Sequence, residues 1–349
     1  MTAQTTPREP VLRGVDLTKK YRQGRTLADR LAKREAKSLT ALDGISVDVH
    51  PGEVLAIVGE SGSGKSTLAK ILVGSEIASS GDISFEGKNL SPKRNSVEAR
   101  RIQMVFQDPY GSLNPRLTIG SVLTELIGYH RIVPPAEVKA EAIRLLKLVG
   151  LDEDAMNAYP SQFSGGQRQR LAIARALAVR PDVLIADEPV SALDVSVQAT
   201  ILELFAQLRD ELGLSVLFIA HNLAVVQHLS QRVAVMYLGR IVEIAPAAEL
   251  FAKPSHPYTR ALIASIPRMT EGSFNSVFEV EGEPPSPYSV PTGCRFHPRC
   301  PLATDECRTI DPALAPVGDS AEHLSACLRV DALPPVPAAF RPAAERTSL

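Results

Sequence analysis

Between residues 54 and 244 the chain alternates short runs of Val, Ile and Leu with longer amphipathic stretches. The apolar runs are "VLAIV" (54–58), "IQMVF" (102–106), "VLIAD" (183–187), "SVLFI" (215–219) and "VAVMY" (233–237). This alternation predicts a sheet of largely parallel strands covered by helices. Residues 196–212 put Ile201, Leu204, Leu208 and Leu212 on one helical face, and Gly213 ends that helix. A second helical stretch, 136–151, interrupts the strand series and predicts an inserted helical subdomain. A third follows "QFSGGQRQR" (162–170): Ser164 is a good N-cap, Leu171, Arg175 and Ala178 keep helical spacing, and Pro181 closes it. Its two opening glycines each forfeit about 0.8–1 kcal/mol of helix propensity relative to alanine, which demands a reason. From about Ala245 the texture changes; prolines gather through 281–291, and 333–349 reads as a disordered tail. No internal repeat is evident.

The chain has 349 residues, too many for one ordinary domain, which favours a main domain plus a smaller unit. Its 44% hydrophobic and 22% charged content is globular, and a formal net charge of -1 advertises no nucleic-acid partner. The N-terminus lacks the apolar stretch of a secretory signal, and runs such as 216–220 are far too short to span a bilayer. The expectation is a cytosolic protein, or one docked on a membrane protein from the cytosolic side.

"GESGSGKST" (59–67) follows a strand and opens a helix bearing Leu68, Ile71 and Leu72, with Gly74 as its stop. That is G-x-x-x-x-G-K-[ST] in the context a P-loop requires. Gly62 and Gly64 let successive amides curl around phosphate oxygens at a helix N-terminus, Lys65 reaches the β- and γ-phosphates, and Ser66 offers its hydroxyl to Mg²⁺. In "VLIADEPVSALD" (183–194) a buried strand delivers Asp187 to the mouth of the sheet as a Mg²⁺ group, and Glu188 is placed to polarise the attacking water. Gln107 and His221 follow two neighbouring strands and are expected to converge on the γ-phosphate.

Ser164, Gly165 and Gly166 then read as a second anion site, where bare glycine backbone approaches phosphate without an intervening Cβ. It lies at the end of the helical insertion, away from the strand ends. The arrangement that resolves this is a two-chain one, in which "FSGGQ" of one subunit covers the γ-phosphate held by the P-loop of another.

The order P-loop, Gln107, "FSGGQ", "ADEP", "SALD" and His221 resembles the ATP-binding cassette (ABC) family over roughly residues 10–250, although that family more often has leucine at the position of Phe163. The resemblance implies an α/β P-loop NTPase with a mixed sheet, an inserted helical subdomain and a Cys-containing C-terminal extension. It implies ATP contacts from Tyr21, stacked on adenine, and from Gly59, Ser61, Gly62, Ser63, Gly64, Lys65, Ser66, Thr67 and Gln107. Mg²⁺ falls to Ser66, Gln107 and Asp187, and catalysis to Glu188, His221, Gln107 and Lys65. Ser164, Gly165, Gly166, Gln167 and Asp194 are implied to act on the nucleotide of a partner subunit.

"FQDPYGSLNPR" (106–116), "YLGRIVE", "HPYTRALIASIPR" and "GCRFHPRCP" further resemble the ATPase subunits of dipeptide and oligopeptide importers, to about residue 330. Such importers imply a second, non-identical ATPase, two membrane permeases whose coupling helix meets the stretch after Gln107, and an external solute-binding protein. The same resemblance implies a subunit bound peripherally at the cytoplasmic face of the inner membrane. Related systems move nickel, glutathione or sugars. The corresponding division is a tail over 1–10, an ATPase domain over 11–250 with its helical subdomain at about 111–180, an extension over 251–330, and a tail over 331–349. A soluble ABC ATPase acting on ribosomes or DNA is disfavoured by the single P-loop, and a non-hydrolysing regulatory module by the intact Lys65, Glu188 and His221.

All four cysteines, Cys294, Cys300, Cys307 and Cys327, fall in the extension. In a cytosolic chain this argues for a metal rather than disulfides, yet there is no C-x₂-C pair for an ordinary zinc site. By resemblance to peptide-importer ATPases they hold a [4Fe-4S] cluster; zinc and plain reduced thiols are the alternatives. His297 and His323 read as surface-loop residues. The basic segment 22–38 reads as a solvated, partly helical hairpin, with anionic lipid or the permeases as the other partners considered.

Overall fold

The computed structural model describes residues 9–22, 38–108, 111–266 and 282–335. Two long strands come first, β1 (Leu12–Arg22) and β2 (Ser38–Val49), followed by the short buried β3 (Val54–Val58). Helix α1 (Lys65–Val73) stops at Gly74, which takes a left-handed conformation with φ 86°. Next come β4 (Ser80–Phe85), β5 (Lys88–Asn89), α2 (Ser96–Arg101) and β6 (Ile102–Val105). The inserted helical region contains α3 (Ile119–Tyr129), α4 (Val138–Leu148) and α5 (Gly165–Leu177). The chain then returns through β7 (Val183–Asp187), α6 (Val195–Leu212), β8 (Ser215–Ala220), α7 (Leu223–Val226), β9 (Arg232–Tyr237) and β10 (Arg240–Pro246). Helices α8 (Ala247–Ala252), α9 (Pro257–Ala264) and α10 (Asp305–Thr309) and strands β11 (Ala315–Val317) and β12 (Ser320–Ser325) complete it.

Each of the five apolar runs forms a strand of one eight-stranded sheet, ordered β11-β12-β10-β9-β3-β8-β7-β6. Strands β6, β7, β8, β3 and β9 are parallel, and β10, β12 and β11 continue antiparallel, so the sheet is mixed as expected. A second, antiparallel sheet, β2-β1-β4-β5, has no counterpart in the sequence reading. The pairing of β1 with β2 shifts register between Gly14 and Lys20, so its buried positions lose the two-residue period that would mark a strand.

The central sheet is buried on both faces. Val54, Ala56 and Val58 of β3 join the core shared with α3 to α6, while Leu55 and Ile57 face the core under α1 and the antiparallel sheet. Strand β8 repeats this division: Val216, Phe218 and Ala220 on one side, Leu217 and Ile219 on the other. Such two-sided burial holds the strand ends rigid.

The extension is part of the main sheet rather than an appendage: Glu243 and Ile244 of β10 pair with Ser325 and Leu324 of β12. Glu243 is fully buried; its carboxylate accepts the N–H groups of Ser255 (2.6 Å) and His256 (2.9 Å) and meets His323 Nε2 at 2.8 Å. His323 is therefore a core residue, contrary to its reading as a surface-loop histidine. Residues 23–37 of the basic segment and 336–349 of the tail lie outside the described residues. Among the described residues no helix is long and apolar enough to cross a membrane.

Candidate functional site

Register gathers the candidate residues. Val58 of β3 stands opposite Ala220 of β8, Asp187 of β7 opposite Ile219, and Val105 of β6 opposite Ala186. The residues that follow, Gly59 to Lys65, His221, Glu188 and Gln107, thus leave the C-terminal edge of four adjoining strands, where ligands of such sheets bind.

The P-loop is built as an anion cradle. Gly62 has φ +79°, and a Cβ placed there would meet no atom within 4 Å, so its backbone faces open space. Gly64 caps α1 at φ +106°, where a Cβ would lie 2.4 Å from the Ala41 carbonyl; only glycine fits. No side chain caps α1, which leaves its first-turn amides to an incoming anion. Buried Lys65 donates to the carbonyls of Gly59 (2.8 Å) and Glu60 (2.9 Å) and lies 3.9 Å from a Glu188 oxygen. Burial lowers its pKa, opposed by Glu188, Asp187 and Glu60. Among the described residues the buried Ser63 hydroxyl has no hydrogen-bond partner, which fits a group that binds phosphate.

Ser66 Oγ donates to Asp187 Oδ1 at 3.0 Å. Burial, chiefly, pushes the Asp187 carboxyl pKa up, with Glu188 adding repulsion against the pull of Ser66 and the lysines. A hydroxyl and a carboxyl oxygen side by side are the hard donors that magnesium takes, so both ATP and Mg²⁺ fit the residues present. Glu188 sits at φ +48°, uncommon for a residue with a side chain, with its N–H tied to the Ile219 carbonyl at 3.1 Å. Its carboxylate receives Gln107 Nε2 at 3.3 Å, and Gln107 also reaches Ser191 Oγ at 3.4 Å, a neighbour that the sequence reading left out. His221 is exposed at its strand end. Tyr21, 37% exposed near the end of β1, carries the Lys19 ammonium 4.9 Å from its ring centre.

The residues expected to act on a partner subunit's nucleotide lie apart from this chain's own P-loop. Ser164, Gly165, Gln167 and Asp194 are exposed, and among the described residues no hydrogen bond or ion pair joins them to the P-loop. Ser164 and Gln167 instead form a reciprocal cap on α5: Gln167 N–H to Ser164 Oγ, 3.4 Å, and Ser164 N–H to Gln167 Oε1, 3.0 Å. Sequence reasoning also passed over Glu60, a variable position of the P-loop motif, whose carboxylate is gripped by Arg299 at 2.9 and 3.1 Å.

Comparison with known proteins decides the lineage. The ABC transporter family profile matches residues 42–191, and that of the oligopeptide/dipeptide transporter C-terminal region matches 242–307. A probable peptide ABC transporter ATP-binding protein of Sinorhizobium fredii is 51% identical over 82% of this chain and 82% of its own length. The chain belongs to the ABC transporter ATP-binding family. The dipeptide transport ATP-binding protein DppF of Escherichia coli is 42% identical over 95% of this chain and 97% of its own. Among solved structures, a dimeric ATP-binding cassette in a post-hydrolysis state with ADP and Pi aligns with TM-score 0.58 at 30% identity, over 68% of this chain and 98% of that one. The cbiO1 component of an ABC transporter complex from Clostridium perfringens aligns at 0.60 and 29% identity, over 70% and 92%. As a member of this family the chain is an ATPase whose hydrolysis is coupled to transport.

In the extension of this ABC ATPase, Cys294, Cys300, Cys307 and Cys327 line one small recess with His256, Phe296 and Leu328. Cys307 is buried and the others are half-buried. Burial first, and their mutual proximity, push the Cys300 thiol up to about 11, Cys327 up to about 12, and Cys294 upward. Among the described residues no group of three or more His, Cys, Asp or Glu is arranged to hold a metal ion. His297 turns its Nδ1 to the Cys294 carbonyl at 2.9 Å.

Proposed function

We propose that the chain is the ATPase subunit of a di- or oligopeptide importer, with residues 11–250 as the ATPase domain and 251–330 as the extension. What supports the peptide assignment is the match of residues 242–307 to the oligopeptide/dipeptide transporter C-terminal region, together with relatives named as peptide and dipeptide transport proteins. The partners are a second, non-identical ATPase subunit, two membrane permeases and an external solute-binding protein, with the subunit bound peripherally at the cytoplasmic face. Affinity purification of the tagged chain from membranes tests this: peptide-type permeases and a second ATPase should come with it. Recovery with nickel, glutathione or sugar permeases overturns the cargo.

In the reaction, Lys65, aimed by two carbonyls, meets the β- and γ-phosphates, and the amides around Gly62 and Gly64 surround their oxygens. Ser66, Asp187 and Gln107 would hold magnesium, which would supply charge neutralisation to the phosphate oxygens. Glu188 polarises the attacking water, held toward it by Gln107, and His221 contacts the γ-phosphate. Tyr21 stacks on adenine. Ser164, Gly165, Gly166, Gln167 and Asp194 of a second subunit cover the same nucleotide, so ATP becomes part of the interface. Turnover and nucleotide binding of Glu188→Gln test the central role: the variant binds ATP, hydrolyses little and accumulates as a dimer. Wild-type turnover in that variant removes Glu188 from the mechanism.

We further propose that Cys294, Cys300, Cys307 and Cys327 hold a [4Fe-4S] cluster. The support is that all four line one small recess, together with the resemblance to peptide-importer ATPases; His256 and His297 line the same recess, which keeps zinc as the alternative. Its role is to pin the extension. Iron and sulfide analysis of anaerobically purified protein decides between this, zinc, and free thiols.

A further inference from the structure

Glu60 is held by groups from outside the P-loop. Its N–H donates to Tyr258 Oη at 2.8 Å, at the start of α9. Its carboxylate takes both terminal nitrogens of Arg299, Nη1 to Oε2 at 2.9 Å and Nη2 to Oε1 at 3.1 Å, and Nη1 also reaches Tyr237 Oη at 3.3 Å. Its carbonyl, in turn, accepts the Lys65 ammonium at 2.9 Å. A continuous hydrogen-bonded path therefore runs from the cysteine-bearing segment to the P-loop lysine.

The path is rigid at its outer end. Tyr258 is fully buried, and the Arg299 side chain is 9% exposed. The rings of Tyr237, Tyr258 and Phe296 pack with centroids 4.6–5.4 Å apart, and the guanidinium stands about 6 Å from two of them. A planar guanidinium in a two-point grip on a carboxylate fixes direction as well as distance, which a single point charge does not.

We propose that Arg299 and Tyr258 are positioning residues for nucleotide binding: through Glu60 they orient Lys65, so the C-terminal extension sets the affinity of the P-loop for MgATP. This rests on the assignment of Lys65 to the β- and γ-phosphates. A residue that merely glued the extension in place would alter stability without altering nucleotide affinity in the folded chain.

The test measures MgATP binding by calorimetry, and KM and kcat for hydrolysis, on full-length Arg299→Gln, Glu60→Gln, the double variant, Tyr258→Phe and Lys65→Ala, each checked for nucleotide-free melting temperature. Arg299→Gln and Glu60→Gln are each expected to raise Kd and KM about ten-fold with kcat little changed. The double variant should be no worse than either single one, since all three lack the same grip. Tyr258→Phe keeps the ring packing and removes only the acceptor for Glu60 N–H, so it reports even if the Arg299 variant folds poorly; a rise of about three-fold is expected. Arg299→Lys should recover part of the loss. Wild-type Kd and KM in folded Arg299→Gln and Tyr258→Phe overturn the proposal, as do additive effects in the double variant. Lys65→Ala separates the two layers: undiminished MgATP binding there overturns the P-loop assignment itself, whereas lost binding alongside unaffected Arg299→Gln and Tyr258→Phe defeats only the role of the extension.

Discussion

Replacing Gly165 by alanine adds one methyl to the first turn of α5, and the structure says what that methyl meets. Its nearest neighbour would be Leu193 Cδ2 at 3.5 Å, an ordinary van der Waals contact. Helix propensity then favours the variant by up to about 0.8–1 kcal/mol, less in a first turn than in a helix interior. Gly166 differs. A Cβ there would stand 2.5 Å from Val197 Cγ1, on a β-branched side chain with little freedom to retreat. Overpacking of that kind costs about 1–3 kcal/mol. One of the two glycines is thus partly explained by packing of α5 on α6, and the other is not. If both backbones face a partner's γ-phosphate, either methyl holds the phosphate oxygen away and turnover falls by about a hundred-fold, comparable to loss of a preorganised donor. Melting temperature, steady-state MgATP hydrolysis and size-exclusion of the ATP-loaded dimer in a Glu188→Gln background separate the outcomes. Gly165→Ala should melt at or slightly above wild type yet hydrolyse poorly and fail to dimerise. Gly166→Ala with Val197→Ala should regain stability but not turnover. A Gly165→Ala variant with wild-type turnover and dimerisation would refute the phosphate-facing assignment.

Three further outcomes are expected. Glu243→Ala strands two buried N–H groups and His323, and should cost about 3–5 kcal/mol, read by chemical denaturation; a loss below 1 kcal/mol would show that the buried network is dispensable. Burial pushes His256 down to about 3 while its Nδ1 accepts the Tyr258 N–H, so the folded chain refuses a proton that the unfolded chain takes below about 6.5. Its contribution is therefore complete above that pH and is lost between about 6.5 and 3 at up to about 1.4 kcal/mol per unit; His256→Asn, which keeps an N-cap acceptor, should flatten this slope. Ser66→Ala should raise the magnesium concentration needed for half-maximal hydrolysis while ATP still binds, measured by magnesium titration of turnover; an unchanged requirement would remove Ser66 from the ion's shell.

The central strands were legible because nearly all their positions are apolar, and because chemistry-bearing residues follow directly at Gly59, Glu188 and His221. The antiparallel sheet was not, since the bulged pairing of β1 scatters its buried positions. Nor was the fusion of the extension to the main sheet: β12 reads "SAEHLS", a polar stretch whose histidine enters the core only because Glu243 waits there. Glu60 escaped notice because its role comes from Arg299, 239 positions away in sequence. The two glycines opening α5 were read for one reason; Gly166 alone also has a packing reason, visible only once Val197 is placed opposite.

The hairpin β11–β12 carries a practical lesson for anyone trimming this chain. Without it, β10 would become an outermost strand with its hydrogen-bonding groups bared, and the amide of Ala326 would no longer cover the Val242 carbonyl. A raw sheet margin of that sort invites neighbouring molecules to stack onto it. A shortened cassette ending near residue 250 should therefore stick to itself, and poor behaviour of such a fragment would reflect a torn seam rather than weak catalytic parts.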